Sequence, residues 1–261
     1  SFLNQPVVTP APVPLPRDKA YGVKRFKDIN IWLVSEGEWR ATVTGFDSEY
    51  KVKGTHPMGG VLSMLWNKQI GPVFAATMNL YTLIEAPNMQ AYTQPHRMAG
   101  SPRIELIENG TMYSNLDDLD TKITYQKKGN AHQFHIVTHL VDSKQQFSSA
   151  GKEAVEIDYI FQEKEIGIHC SIPESLRKAG AQLTLPIIAA PQEKENITEH
   201  SVQVNKEGGV LVLNSPQTLT IAPTDENGRI FNPVPGFCFI PVIVQPNEKG
   251  EVEISIRITA P

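Results

Sequence analysis

His56, His96 and Arg97 are the residues of this 261-residue chain whose types and settings point first to chemistry. His56 and His96 each sit beside a proline, in Thr55-His56-Pro57 and Gln94-Pro95-His96-Arg97, in loop-like stretches of the kind that display functional groups. An imidazole next to a guanidinium suits an anionic ligand. The arginine offers a bidentate fork to a carboxylate or sulfate, and the histidine can donate or transfer a proton near neutral pH. The structural alternative is a loop pair that only caps backbone groups. Tyr92 and Tyr113, both in loop-like context, are expected to contact a saccharide, because an aromatic face covers the apolar patch of a sugar ring while its polar end stays wet; Asn88 is expected to join them.

His132, His135 and His139 would share one face of a helix and could there hold a metal. Their neighbours Phe134, Ile136, Val137, Thr138, Leu140 and Val141 are strand formers instead. On a strand His132 and His135 point to opposite faces, and His135 and His139 lie about 13 Å apart. These three are therefore expected on a polar sheet face with no shared metal. Asn115, Asp117, Asp118 and Asp120 lack the D-x-D-x-D-G order of a calcium loop and read as a solvated acidic turn. No cofactor is required on this reading; a structural zinc or calcium ion stays open, although the spacing supports neither. The chain has no G-x-S-x-G elbow, P-loop, dinucleotide fingerprint, H-E-x-x-H helix or paired CxxC motif.

The elements that must position these residues read as strands. From His56 to Gln90, two apolar runs, Val61 to Trp66 and Pro72 to Ile84, flank a short polar connector, the pattern of a hairpin at the centre of a large sheet. Strand signals recur at 29–34, 39–46, 103–108, 121–126, 133–141, 153–161, 164–172, 181–189, 201–204, 210–213, 219–222, 238–245 and 251–259. Pro173 to Lys178 is the one helix-like start, with proline at an early position. About fifteen short strands with Gly, Pro and Asn punctuation predict an all-β fold of two large antiparallel sheets packed face to face, a super-sandwich with almost no helix.

Residues 1–23 read as a proline-rich linker or N-terminal arm, with five prolines in the first sixteen positions, and 24–261 as the sandwich domain. A linker at that place is the expected join to an upstream domain. The 24 basic and 28 acidic residues, net charge -4, are scattered without a basic block, which argues against nucleic acid. No run reaches the roughly 18 apolar residues of a membrane span. Cys170 and Cys238 stand in apolar, strand-like contexts and are expected as two buried free thiols, with a disulfide as the alternative.

Several segments together resemble the C-terminal β-sandwich of the heparinase II/III-like polysaccharide lyases, in which a helical toroid precedes the sandwich. They are Lys27-Asp28-Ile29 with Trp39, Gly59-Gly60 through Gly71-Pro72-Val73 into Tyr81, Tyr159-Ile160-Phe161 to Ile166-Gly167-Ile168, and Arg229-Ile230-Phe231 followed by Pro235-Gly236-Phe237. The resemblance covers most of residues 24 to 259. It implies β-elimination on uronate-containing polysaccharides, with a Tyr or His base and a neutralised carboxylate. It also implies that the toroid brings most catalytic groups, while the sandwich adds wall residues and in some members a structural His–Asp–His zinc site. The chain is accordingly expected to be the non-catalytic C-terminal half of a secreted or periplasmic lyase-like protein, packed on a helical domain and walling a cleft for an acidic polysaccharide. Two rival readings are a free-standing carbohydrate-binding or cell-surface module, and a self-contained lyase using His56, His96 and Arg97.

Overall fold

Alternation of apolar and polar residues dictates most of the strands, since side chains two apart share one face of the sheet. The computed structural model describes residues 18–45, 57–77, 99–224, 228–232 and 236–260. In chain order its strands are β1 (Gly22–Phe26), β2 (Ile31–Glu36), β3 (Trp39–Thr44), β4 (Val61–Asn67), β5 (Gly71–Ala75), β6 (Arg103–Glu108), β7 (Thr111–Ser114), β8 (Lys122–Lys128), β9 (Ala131–Thr138) and β10 (Val155–Phe161). They continue with β11 (Glu165–Ser171), β12 (Gln182–Ile188), β13 (Glu195–Ile197), β14 (Ser201–Lys206), β15 (Gly209–Asn214), β16 (Leu219–Ile221), β17 (Ile230–Asn232), β18 (Phe237–Val244) and β19 (Glu251–Thr259). One helix, α1 (Glu174–Lys178), follows Pro173 as expected, and two 3-10 turns cover Lys27–Ile29 and Asn115–Asp117.

Among the described residues all pairings are antiparallel, as expected of an all-β sandwich, and the strands group into three sheets where two were expected. The first is β1-β2-β3-β4-β5; the second is β13-β14-β15-β19-β11-β10-β9-β8; the third is β16-β18-β12-β6-β7, with β17 also on β18. The third sheet adjoins the first, because β12 pairs with β6 only over Gln182 to Thr184 and also lies beside β5. The hairpin expected at the centre of a sheet is β4–β5, and it closes the first sheet at its edge among the described residues. The expected long second arm is a strand only to Ala75; residues 78–84 of that reading lie outside the described residues. Four short or polar strands, β1, β7, β13 and β17, have no apolar run to announce them and are set by pairing with longer neighbours.

The first and second sheets face each other. Trp32 of β2 meets Phe134 of β9 edge-on at 5.6 Å, and Phe134 meets Phe161 of β10 in the same way at 5.7 Å. Gly60, just before β4, lies so close to β9 that a Cβ there would stand 2.3 Å from Ile136 Cγ2. One continuous core joins residues of all three sheets, among them Val34, Leu65 and Phe74, Ile157 and Ile254, and Ile104, Leu185 and Val242. β12, QLTLPII, is buried from Leu183 onward on both faces, which explains its nearly unbroken apolar run. No helix among the described residues is long and apolar enough to cross a membrane.

Candidate functional site

Three separated points of the chain meet beside the Asn115–Asp117 turn. Asn115 is fully buried; its Nδ2 donates to the Gly59 carbonyl (3.0 Å) and its Oδ1 accepts from the Ile104 amide (2.9 Å). The Met58 amide donates to the Leu116 carbonyl at 2.8 Å. Val61, Ala99 and Leu116 form a small buried apolar cluster. Thr77 is latched to the same place: its amide donates to Ser101 Oγ (3.1 Å), and its Oγ1 accepts from the Gly100 amide (2.7 Å). Residues 57 and 99 follow His56 and Arg97 closely in sequence, so the described ends of both loop segments are fixed at one junction.

A buried ion pair holds that junction. Arg103 and Glu105, only 2% and 3% exposed, bond through Nε and Oε2 at 2.6 Å. Arg103 Nη1 also donates to the carbonyls of Ala99 (2.8 Å) and Ser101 (3.0 Å). Thr184 Oγ1 donates to Glu105 Oε1 at 2.6 Å, tying β12 to the pair. Burial alone would push the Glu105 carboxyl up; the Arg103 guanidinium and the bonds from Thr184, Arg103 and Gln182 outweigh it and hold it below the usual range.

Next to the junction stands a carboxylate–imidazole pair. Asp118 Oδ2 accepts from Thr138 Oγ1 (2.9 Å), the His139 amide (2.7 Å) and His139 Nδ1 (3.2 Å). Because Asp118 is an acceptor, His139 Nδ1 donates and Nε2 is left as the proton-accepting nitrogen. The Asp118 side chain is 4% exposed and that of His139 25%, so the pair has a buried orienting group and a solvent-accessible ring. Such an arrangement is competent for proton transfer. The acidic turn read as solvated is therefore largely internal: Asp117 and Asp118 are both buried, and backbone and hydroxyl donors satisfy the Asp118 carboxylate.

Residues 23–259 match the ulvan lyase C-terminal domain. The chain belongs to that family. A broad-specificity ulvan lyase from Formosa agariphila is 31% identical over 232 residues, covering 87% of this chain and 36% of the relative. The chain thus spans about a third of the length of the curated relative it matches. Among solved structures, the Slr1438 protein of Synechocystis gives a TM-score of 0.46 at 8% identity, covering 93% of this chain and 96% of its own. A chondroitin lyase that is a baculovirus envelope protein gives 0.42 at 10% identity, covering 91% of this chain and 38% of its own. The expected resemblance to the C-terminal sandwich of a polysaccharide lyase agrees with the family match.

In this member of the ulvan lyase C-terminal domain family, His56, Asn88, Tyr92, His96 and Arg97 lie outside the described residues. Tyr113, expected in a loop, belongs to β7; it is half-buried and packs against the core, because the Asn109-Gly110 turn folds it back beside β6. His132 is not on a polar face. It is buried, with Nδ1 2.8 Å from Tyr125 Oη and Nε2 3.2 Å from Glu36, and so joins the second sheet to the first. His135 faces the other way and pairs with Asp158 at 2.9 Å. Each of the three histidines thus has its own carboxylate, and no group of three or more metal-ligating side chains occurs among the described residues. The zinc triad implied by the resemblance finds no fitting residues there. Cys170 is buried and free, while Cys238, also free, is half-buried rather than buried. The Arg103–Glu105 and Asp118–His139 pairs escape sequence reasoning, apart from the i, i+2 spacing that puts Arg103 and Glu105 on one face of a strand.

Proposed function

We propose that this domain is the sandwich half of a secreted or periplasmic polysaccharide lyase, one that cleaves an acidic, uronate-containing polysaccharide by β-elimination. In that reaction a base removes the C5 proton, the C4–O bond breaks, and a C4=C5 double bond remains in the uronate. The domain packs on a helical domain of the same protein, in the arrangement of the heparinase II/III-like enzymes, and forms one wall of the cleft without completing a catalytic site.

The observation that carries the docking role is the outer face of the first sheet. Phe26 (47% exposed), Ile31, Leu33 and Met64 (38% exposed) share that face by register: Phe26 pairs with Ile31, and Leu33, Thr42 and Met64 stand side by side. An incompletely covered apolar sheet face suits a packed domain boundary, and the ulvan lyase relative has the additional length to supply one.

The test is a screen of this chain and of the full-length parent against ulvan and other acidic polysaccharides, following unsaturated-uronate absorbance and thermal shift together. The expected result is turnover by the parent only. Absorbance growth with this chain alone, abolished by Arg97→Ala, would make the domain an enzyme and overturn the non-catalytic assignment. A parent without turnover on any uronate polymer would overturn the lyase assignment.

A further inference from the structure

The solvent-facing side of the second sheet carries a polar row that the lyase reading does not use. By register Ser201 (β14), Asn214 (β15), Ser255 (β19) and Gly167 (β11) stand side by side across four strands. One step along the strands, His169 faces Glu253. These residues line an open cleft of about 510 Å³, closed at one end by His200 and Pro216.

The end wall is built. His200 Nδ1 donates to the Gln217 carbonyl (3.2 Å), while Gln217 Oε1 accepts from Ser215 Oγ (3.0 Å) and from the Glu253 amide (2.9 Å). The loop carrying Pro216 is thereby fastened to β19, and His200 is held with Nε2 as its acceptor nitrogen. The hydroxyl of Ser201 is buried at the cleft yet has no hydrogen-bond partner among the described residues.

From this geometry we propose that the cleft is a binding site for a neutral, hydroxyl-rich saccharide, separate from any cleft formed with a helical domain. The lining offers donor–acceptor groups suited to sugar hydroxyls: the Asn214 amide, the Ser255 hydroxyl and the two imidazoles. Its carboxylates, Glu165 and Glu253, accept from hydroxyls and repel anions, and the lining contains no lysine or arginine. Gly167 leaves the floor flat enough for a ring to approach the strands. The site is independent of the lyase reading and opposite to it in charge preference.

The test uses this chain titrated with neutral hexasaccharides of glucose, mannose and xylose, and with polygalacturonate as the anionic control, while the histidine ring signals are followed by NMR. A neutral probe is expected to shift His169 and His200 saturably and leave His132 unmoved. A Cβ at Gly167 meets Ile160 and His169 only at ordinary contact distances of 3.5–3.8 Å, so Gly167→Val fills the floor with the fold kept. It should abolish the shifts at an unchanged unfolding midpoint. Asn214→Ala should weaken binding about tenfold, the loss of one or two hydrogen bonds. Absence of saturable shifts with all three neutral probes, equal binding by Gly167→Val, or tighter binding of polygalacturonate at these rings would each overturn the site. None of these outcomes bears on uronate turnover, so the two readings fail separately.

Discussion

Arg103 and Glu105 are two residues apart on β6 and share one face, so neither can leave the other without abandoning a charge in the core. Arg103→Ala should cost about 3–5 kcal/mol in denaturant unfolding, since it strands a buried carboxylate. The pH dependence follows from the depressed Glu105 value. A carboxyl whose folded pKa lies below its unfolded one contributes stability that is full above the unfolded value, about 4.3, and is lost as pH falls through the folded value. Unfolding midpoints should therefore fall below about pH 4.3, and Glu105→Gln should flatten that part of the profile. Asp118 is a second test at this scale. Asp118→Asn presents a donor to hydroxyl and amide donors and should cost about 1–3 kcal/mol. The same variant should shift the His139 ring toward the other tautomer, readable in its nitrogen chemical shifts.

At the scale of elements, the approach of the β4 lead-in to the Asn115–Asp117 turn depends on one glycine. Gly59 has φ +69°, and a Cβ there would stand 1.6 Å from the Asn115 carbonyl oxygen, a backbone atom that cannot swing away. Gly110 has nearly the same φ, +78°, but open space around it. Replacing Gly110 by alanine should cost about 1–2 kcal/mol from the left-handed backbone alone. Gly59→Ala should lose more than about 3 kcal/mol, because the junction must come apart. Equal losses in the two variants, measured by urea unfolding, would show that the contact with Asn115 is dispensable. The three-residue strands β13 and β17 illustrate why elements escaped the sequence reading: both owe their extended form to a longer partner, β14 and β18 respectively.

For the whole molecule, the three sheets share one core, so opening should be concerted. Cys170 lies inside that core, where burial pushes its thiol well up, while Cys238 on β18 is half-buried. A thiol reagent should label Cys238 in the native state, and Cys170 only on the timescale of global unfolding. Fast labelling of Cys170 would mean that the second sheet opens on its own. The outer face of the first sheet is expected to matter little to the isolated fold. Phe26→Ser should change stability by no more than about 0.5 kcal/mol; the proposed docking role adds the expectation that it weakens association with the proposed helical domain supplied in trans.

What the sequence determined by itself was local: period-two alternation placed most of the strands, proline placed α1, and strand formers around His132, His135 and His139 placed His132 and His135 on a strand. The resemblance in scattered Gly, Pro and aromatic motifs led to a polysaccharide-lyase sandwich, which the family match bears out. Grouping into three sheets was settled by tertiary contacts, because antiparallel strands of similar composition leave partner choice to the packing of their buried faces. The same holds for Asp118, which became internal because donors from β9 reach it, and for Tyr113, which became part of the packed fold because β6 pairs with its strand. Burial of a polar side chain is decided by which distant groups arrive to satisfy it, and that information is not carried by its neighbours in the chain.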